Sequence, residues 1–173
     1  SGLAGVVSKV TATIVELSHT FPADLDVLLV GPAGQKVMLM SDAGAGNAVN
    51  GISLRFDDDA AITLSQIGQL FSGSFRPTDY EPDDVLFAPA PAGPYETALS
   101  AFRSTNPNGN WSLYVADDHG VDSGVIAGGW RLNILTMPGA QTPTLSIELA
   151  GDSLVLSWPD LFDNCVLETT TAL

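Results

Sequence analysis

The chain is poor in the residues that staple, catalyse or bind anions. Its one cysteine, Cys165, permits no internal disulfide. A core of 173 residues can bury enough surface to need none, so the cysteine count says little about compartment. Basic side chains number 6 against 20 acidic ones, for a formal charge of −14. A field of that sign repels phosphate backbones and anionic lipid heads, so neither nucleic acid nor a membrane surface is expected as a partner. No apolar run approaches the roughly 18 residues that a membrane span requires. No signal peptide is visible at the start. Helical periodicity is nearly missing too, with 17 glycines and 11 prolines scattered through the sequence.

Short apolar runs separated by Gly, Pro and Asp turns are what the chain does have. Val6, Val10, Ala12, Ile14 and Leu17 alternate roughly and predict a first strand. Val27 to Val30 is continuously aliphatic, as in a strand buried on both faces, and Gly31-Pro-Ala-Gly34 turns it into Val37-Met-Leu-Met40. Ile52, Leu54 and Phe56 share one face, and Phe71-Ser-Gly-Ser-Phe-Arg-Pro77 reads as a further short strand. Residues 78–97 are rich in proline and acid and predict a long surface loop. Leu99-Ser-Ala-Phe102 is read as a helical turn or a plug over the sandwich end. Trp111, Leu113 and Val115 are expected to face inward, as are Trp130, Leu132 and Ile134.

This pattern predicts an all-β fold, a sandwich of about eight strands. A first domain is expected over residues 1–138 and a linker over 139–144. Residues 145–173 would open a second β domain, cut off by the chain end. There Leu145-Ser-Ile-Glu-Leu149 and Leu154-Val-Leu-Ser-Trp158 flank Gly151-Asp152 as a hairpin, with Cys165-Val-Leu-Glu-Thr169 as a third strand.

Six pieces occur in order along the first 137 residues. They are Ser18-His-Thr-Phe-Pro-Ala-Asp-Leu-Asp-Val-Leu-Leu with Gly31-Pro-Ala-Gly34, Phe56-Asp-Asp-Asp-Ala60, Phe71-Ser-Gly-Ser-Phe-Arg-Pro77, Leu99-Ser-Ala-Phe102, Asn106-Pro-Asn-Gly-Asn-Trp111, and Asp122-Ser-Gly-Val-Ile-Ala-Gly-Gly-Trp-Arg-Leu132. Together they resemble the P domain, or Homo B domain, that follows the subtilisin-like catalytic domain of proprotein convertases and recurs in bacterial secreted proteins. The resemblance implies a jelly-roll-like, galactose-binding-like sandwich. It also implies a non-catalytic accessory role, stabilising or assisting a subtilisin-like serine endopeptidase domain that this chain does not contain. The partner would be a neighbouring catalytic or cell-surface domain of the same polypeptide, and the location secreted or cell-surface. Two departures from the family pattern stand out: the proline-rich residues 78–97 are longer than usual, and the closing Leu-Asn-Ser-Trp is replaced by Ile126-Ala-Gly-Gly-Trp130. Other readings of the same architecture are a carbohydrate- or surface-binding jelly roll and a structural spacer of a cell-surface protein.

Candidate chemistry is sparse. His19 and His119 are the two histidines, and no serine stands in a Gly-x-Ser-x-Gly elbow, so no protease triad is expected. His19 and Asp24 are read as residues that hold a corner. Asp57, Asp58 and Asp59 at a strand end, with Asp117, Asp118 and Asp122 in a glycine-bearing loop, are candidate calcium ligands if the fold joins them. Solvated turn aspartates are the alternative. No EF-hand spacing and no His/Cys cluster for zinc is present, and no other cofactor is expected.

Overall fold

A computed structural model describes residues 2–82, 85–139 and 145–157. The chain divides into two compact units, Ser1–Gly139 and Ala140–Leu173. The first is an all-β sandwich of two sheets. One sheet is built on β1 (Val6–His19), flanked on one side by β4 (Val49–Phe56) and β5 (Gly73–Phe75). Its other side carries β8 (Gly124–Ile126) and β9 (Trp130–Met137), which pair end to end with β1. The second sheet runs β6 (Thr78–Asp79), β3 (Lys36–Ser41), β2 (Leu25–Val30) and β7 (Ser112–Asp117). Pairing is antiparallel except for β4 with β5 and β3 with β6. The two described helical elements are single 3-10 turns, Pro22–Asp24 and Leu99–Phe102.

Alternation along β1 is broken in two places, and both breaks matter. The expected inward set named Val6, but Val7 is the fully buried residue, because the register with β9 shifts between Val7 and Lys9. Further on, a bulge at Val15–Glu16 lets Ile14 and Leu17 both face the core, three positions apart. Glu16 takes a left-handed φ of 58° to make it.

The core lies between the sheets. Val10, Ala12, Ile14 and Leu17 of β1 and Leu54 and Phe56 of β4 meet Val27, Leu29, Val37 and Leu39 of the second sheet. The turn Leu99–Phe102 closes one end as a plug: Leu99 and Phe102 are buried, and the Phe102 ring lies 4.9 Å from that of Trp111.

Residues 78–97 are more than a surface loop. Their first two form β6, and Glu96 bridges to β3, accepting from the Met38 amide at 2.8 Å and donating to the Lys36 carbonyl at 2.9 Å. Between these anchors Leu86 is buried on Leu28 and Met38, with Tyr95 and Tyr114 beside them. This second, smaller core covers the outer face of β2 and explains why its aliphatic run is continuous.

The inward expectation for β7 and β9 is only half met. Leu113, Leu132 and Ile134 pack on the core but are half-buried, while Val115 and Trp130 are 45% and 38% exposed. Both strands are sheet edges on the same side of the sandwich, and no further described strand closes the gap between them.

In the second unit β10 (Ser146–Ala150) and β11 (Ser153–Ser157) form the expected hairpin around Gly151-Asp152. Ile147 pairs with Leu156 and Leu149 with Leu154, so one face is apolar, and all four are exposed. Trp158 and the expected strand from Cys165 to Thr169 lie outside the described residues.

Candidate functional site

The two acidic groups are not brought together. Asp57 meets Lys9 and Asp117 meets His19, and these partners stand ten residues apart on β1, about 30 Å of extended strand. The group at the β4 end is already saturated. Asp57 is buried and pairs with Lys9 Nζ at 2.7 Å and with an Arg55 guanidinium nitrogen at 2.8 Å; Lys9 also reaches Asp59 at 2.6 Å. Burial opposes ionisation of Asp57. The Lys9 bond, the Asp59 amide and the Lys9 and Arg55 charges outweigh it and hold the carboxyl below the usual carboxylate range. The same ion pairs raise the Lys9 ammonium above its ordinary value. Asp58 accepts from the Leu99 and Ser100 amides at 2.8 and 2.7 Å, capping the plug turn from a distant loop. These three carboxylates hold the fold.

At the opposite end of β1 the chain turns through Pro22–Asp24 into β2, and the loop after β7 folds against that corner. His19 is buried there. Its Nε2 lies 3.3 Å from Asp117 Oδ2, and its Nδ1 sits between the Phe21 amide at 3.2 Å and the Phe21 carbonyl oxygen at 2.9 Å. Gly124 crosses directly over the ring, where a Cβ would collide with His19 and the Ser18 carbonyl. His19 therefore holds the corner, as expected.

The remaining aspartates divide by whether they have partners. Asp117 Oδ1 accepts from the His119 amide at 3.3 Å, and Asp122 Oδ1 accepts from the Thr20 hydroxyl at 2.8 Å. The Asp24 backbone carbonyl accepts from the Asp118 amide at 3.0 Å. The Asp24 side chain does not hold the corner as expected. It is buried, yet its carboxylate makes no hydrogen bond or ion pair with any described residue. Instead, one oxygen each from Asp24 and Asp118 and a ring nitrogen of His119 lie within 4.8 Å of one another. Burial raises the Asp24 carboxyl above the usual range. His119 opposes that rise, and the charges of Asp122, Asp118 and Asp117 add to it.

Two of these residues were not among the expected ligands. Asp24 and His119 come from segments far apart in sequence, and no local spacing joins them. Only the adjacency of Asp118 to His119 offered a signal.

Beside the corner lies an apolar cleft of about 280 Å³ between the two sheet edges. Leu17, Leu25 and Val27 are its buried wall, and Val115 and Val125 stand exposed on its rim, with Asp117 and His19 at one end. Comparison of the chain with protein-family models, curated proteins and solved structures finds no match.

Proposed function

We propose that the chain is a non-catalytic accessory domain of the P or Homo B type, from an exported multidomain protein. It packs on and stabilises a neighbouring subtilisin-like serine endopeptidase domain through the open side of its sandwich. The observation that carries this reading is the cleft between β7 and β8. Its rim residues Val115 and Val125 are 45% and 57% exposed, where a closed sandwich would bury them. An apolar surface continuous with the core and edged by acid suits a protein partner with a matching basic rim. The six ordered sequence pieces support the family reading, and with it the jelly-roll-like, galactose-binding-like topology. Several of those pieces supply the frame: Asp58 caps the plug, and His19 and Gly124 lock the corner.

Docking within one polypeptide acts at high effective concentration, so even a modest interface raises the neighbour's stability without taking part in its chemistry. The test is to express the chain with the polypeptide that flanks it in its gene. The flanking domain's thermal inactivation is then compared with the chain wild type, deleted, or carrying Val125→Asp. Loss of protection in both altered forms is the expected result. Flanking sequence without a protease domain, or inactivation unaffected by deletion, would overturn the proposal.

A further inference from the structure

We propose that Asp24, Asp118 and His119 bind a divalent cation, and that the imidazole suits the site to ions such as Zn²⁺ or Mn²⁺ rather than to Ca²⁺. The three ligand atoms already lie within 4.8 Å of one another. Ligands about 2.0–2.2 Å from a tetrahedral Zn²⁺ sit roughly 3.3 Å apart, so a small closing of the exposed Asp118 and His119 side chains completes the geometry. Two carboxylates and one imidazole are a mixed oxygen–nitrogen set with room for water. Calcium asks for six to eight oxygens, which this group does not offer.

The second observation is the state of Asp24. Its residue is 8% exposed, and its carboxylate points into the group with no hydrogen bond or ion pair to any described residue. The backbone and stem of Asp24 are covered while its carboxylate oxygens still reach solvent on the side of the group, and nearby Asp117, Asp118 and Asp122 add like charge that a cation would relieve. Neighbouring bonds divide the roles. Asp122 is held by Thr20. Asp117 is occupied by His19 and the His119 amide, and so becomes the support that positions the His119 loop. A cation here would tie the Pro22–Asp24 turn to the loop after β7, pinning together two connections that cross between the sheets beside the cleft. This inference does not depend on the proposed function.

The test uses the whole chain with Cys165→Ser, so that the thiol cannot supply a metal ligand, after dialysis against EDTA. Calorimetric titration with ZnCl₂, MnCl₂ and CaCl₂ would be run on this protein and on its Asp24→Asn and His119→Ala variants. Melting in EDTA confirms that each variant is folded; His119 is exposed, so its removal leaves the core intact. The expected result is one Zn²⁺ or Mn²⁺ per chain, a higher melting temperature on binding, and affinity at least about tenfold lower in each variant. Three results would overturn the proposal: no binding of any of the three ions, transition-metal binding that both variants retain in full, or binding of Ca²⁺ alone with no effect of His119→Ala.

Discussion

Replacing Asp58 with alanine tests whether the carboxylates at the β4 end serve structure or a cation. Asp58 spans two amides at the start of the plug turn, at 2.8 and 2.7 Å. Removing an N-terminal cap of this kind costs about 0.5–2 kcal/mol, and hydrogen bonds to charged groups contribute about 1.5–3 kcal/mol each. Asp58 is half-buried, so water can reach the freed amides and the loss stays well below the sum of two such bonds. A destabilisation of about 2 kcal/mol follows, or roughly 4–8 °C in melting temperature for a domain of this size. The turn also sets Leu99 and Phe102, which are 2% and 0% exposed, so near-ultraviolet dichroism of the Phe102–Trp111 pair should weaken with it. Asp58→Asn keeps one acceptor oxygen and should lose about half as much. The discriminating assay is thermal melting in EDTA and again in millimolar Ca²⁺. A structural cap predicts the same deficit in both. A melting temperature within 1 °C of wild type, or a deficit that appears only with calcium present, would refute the reasoning.

Acid should unfold the protein partly through Asp57. Its carboxyl is held below the usual range in the folded state, so the stability it contributes is complete above the unfolded value near pH 4 and is lost as pH falls through the folded value. Urea midpoints measured from pH 7 down to 2 should therefore fall less steeply for Asp57→Asn than for wild type; identical slopes would count against the Lys9–Asp57–Arg55 cluster. Phe102→Ala should cost about 3–5 kcal/mol in chemical denaturation, because the ring is fully buried and its neighbours cannot all collapse into the space. Gly124→Ala should cost about 1–3 kcal/mol and shift the His19 ring resonances, since the added methyl drives into that ring. A melting curve unchanged by Gly124→Ala would show that β8 can move away from the corner freely.

Much of the frame was legible in residue order. The hairpin around Gly31-Pro-Ala-Gly34, the shared face of Ile52, Leu54 and Phe56, and the Gly151-Asp152 hairpin all appear where alternation and turn residues put them. These are local signals, and a period of two is readable wherever one face is buried. The outer cover given by Leu86 was not legible, because nothing near residue 86 says which outer face it will meet. The exposure of Val115 and Trp130 was equally hidden: alternation assigns a residue to a face but does not reveal that its strand is an edge.

The candidate site divides in the same way. Composition alone supplied an excess of aspartate and a negative field, and with them the expectation that carboxylates do something at the turns. Which carboxylates have partners is a question of distance, and distance is set by pairing. The register of β1 with β4 delivers Lys9 to Asp57, which its own strand neighbour Arg55 already meets, and together they neutralise it. The pairing of β2 with β7 places Asp24 against Asp118 and His119. Sequence by itself determined an acidic all-β chain built of short strands and tight turns, because those properties depend on neighbours along the backbone. Tertiary structure alone decided which edge stays open and which aspartate faces Asp118 and His119 without a hydrogen bond to a described residue, because both depend on which distant strands meet.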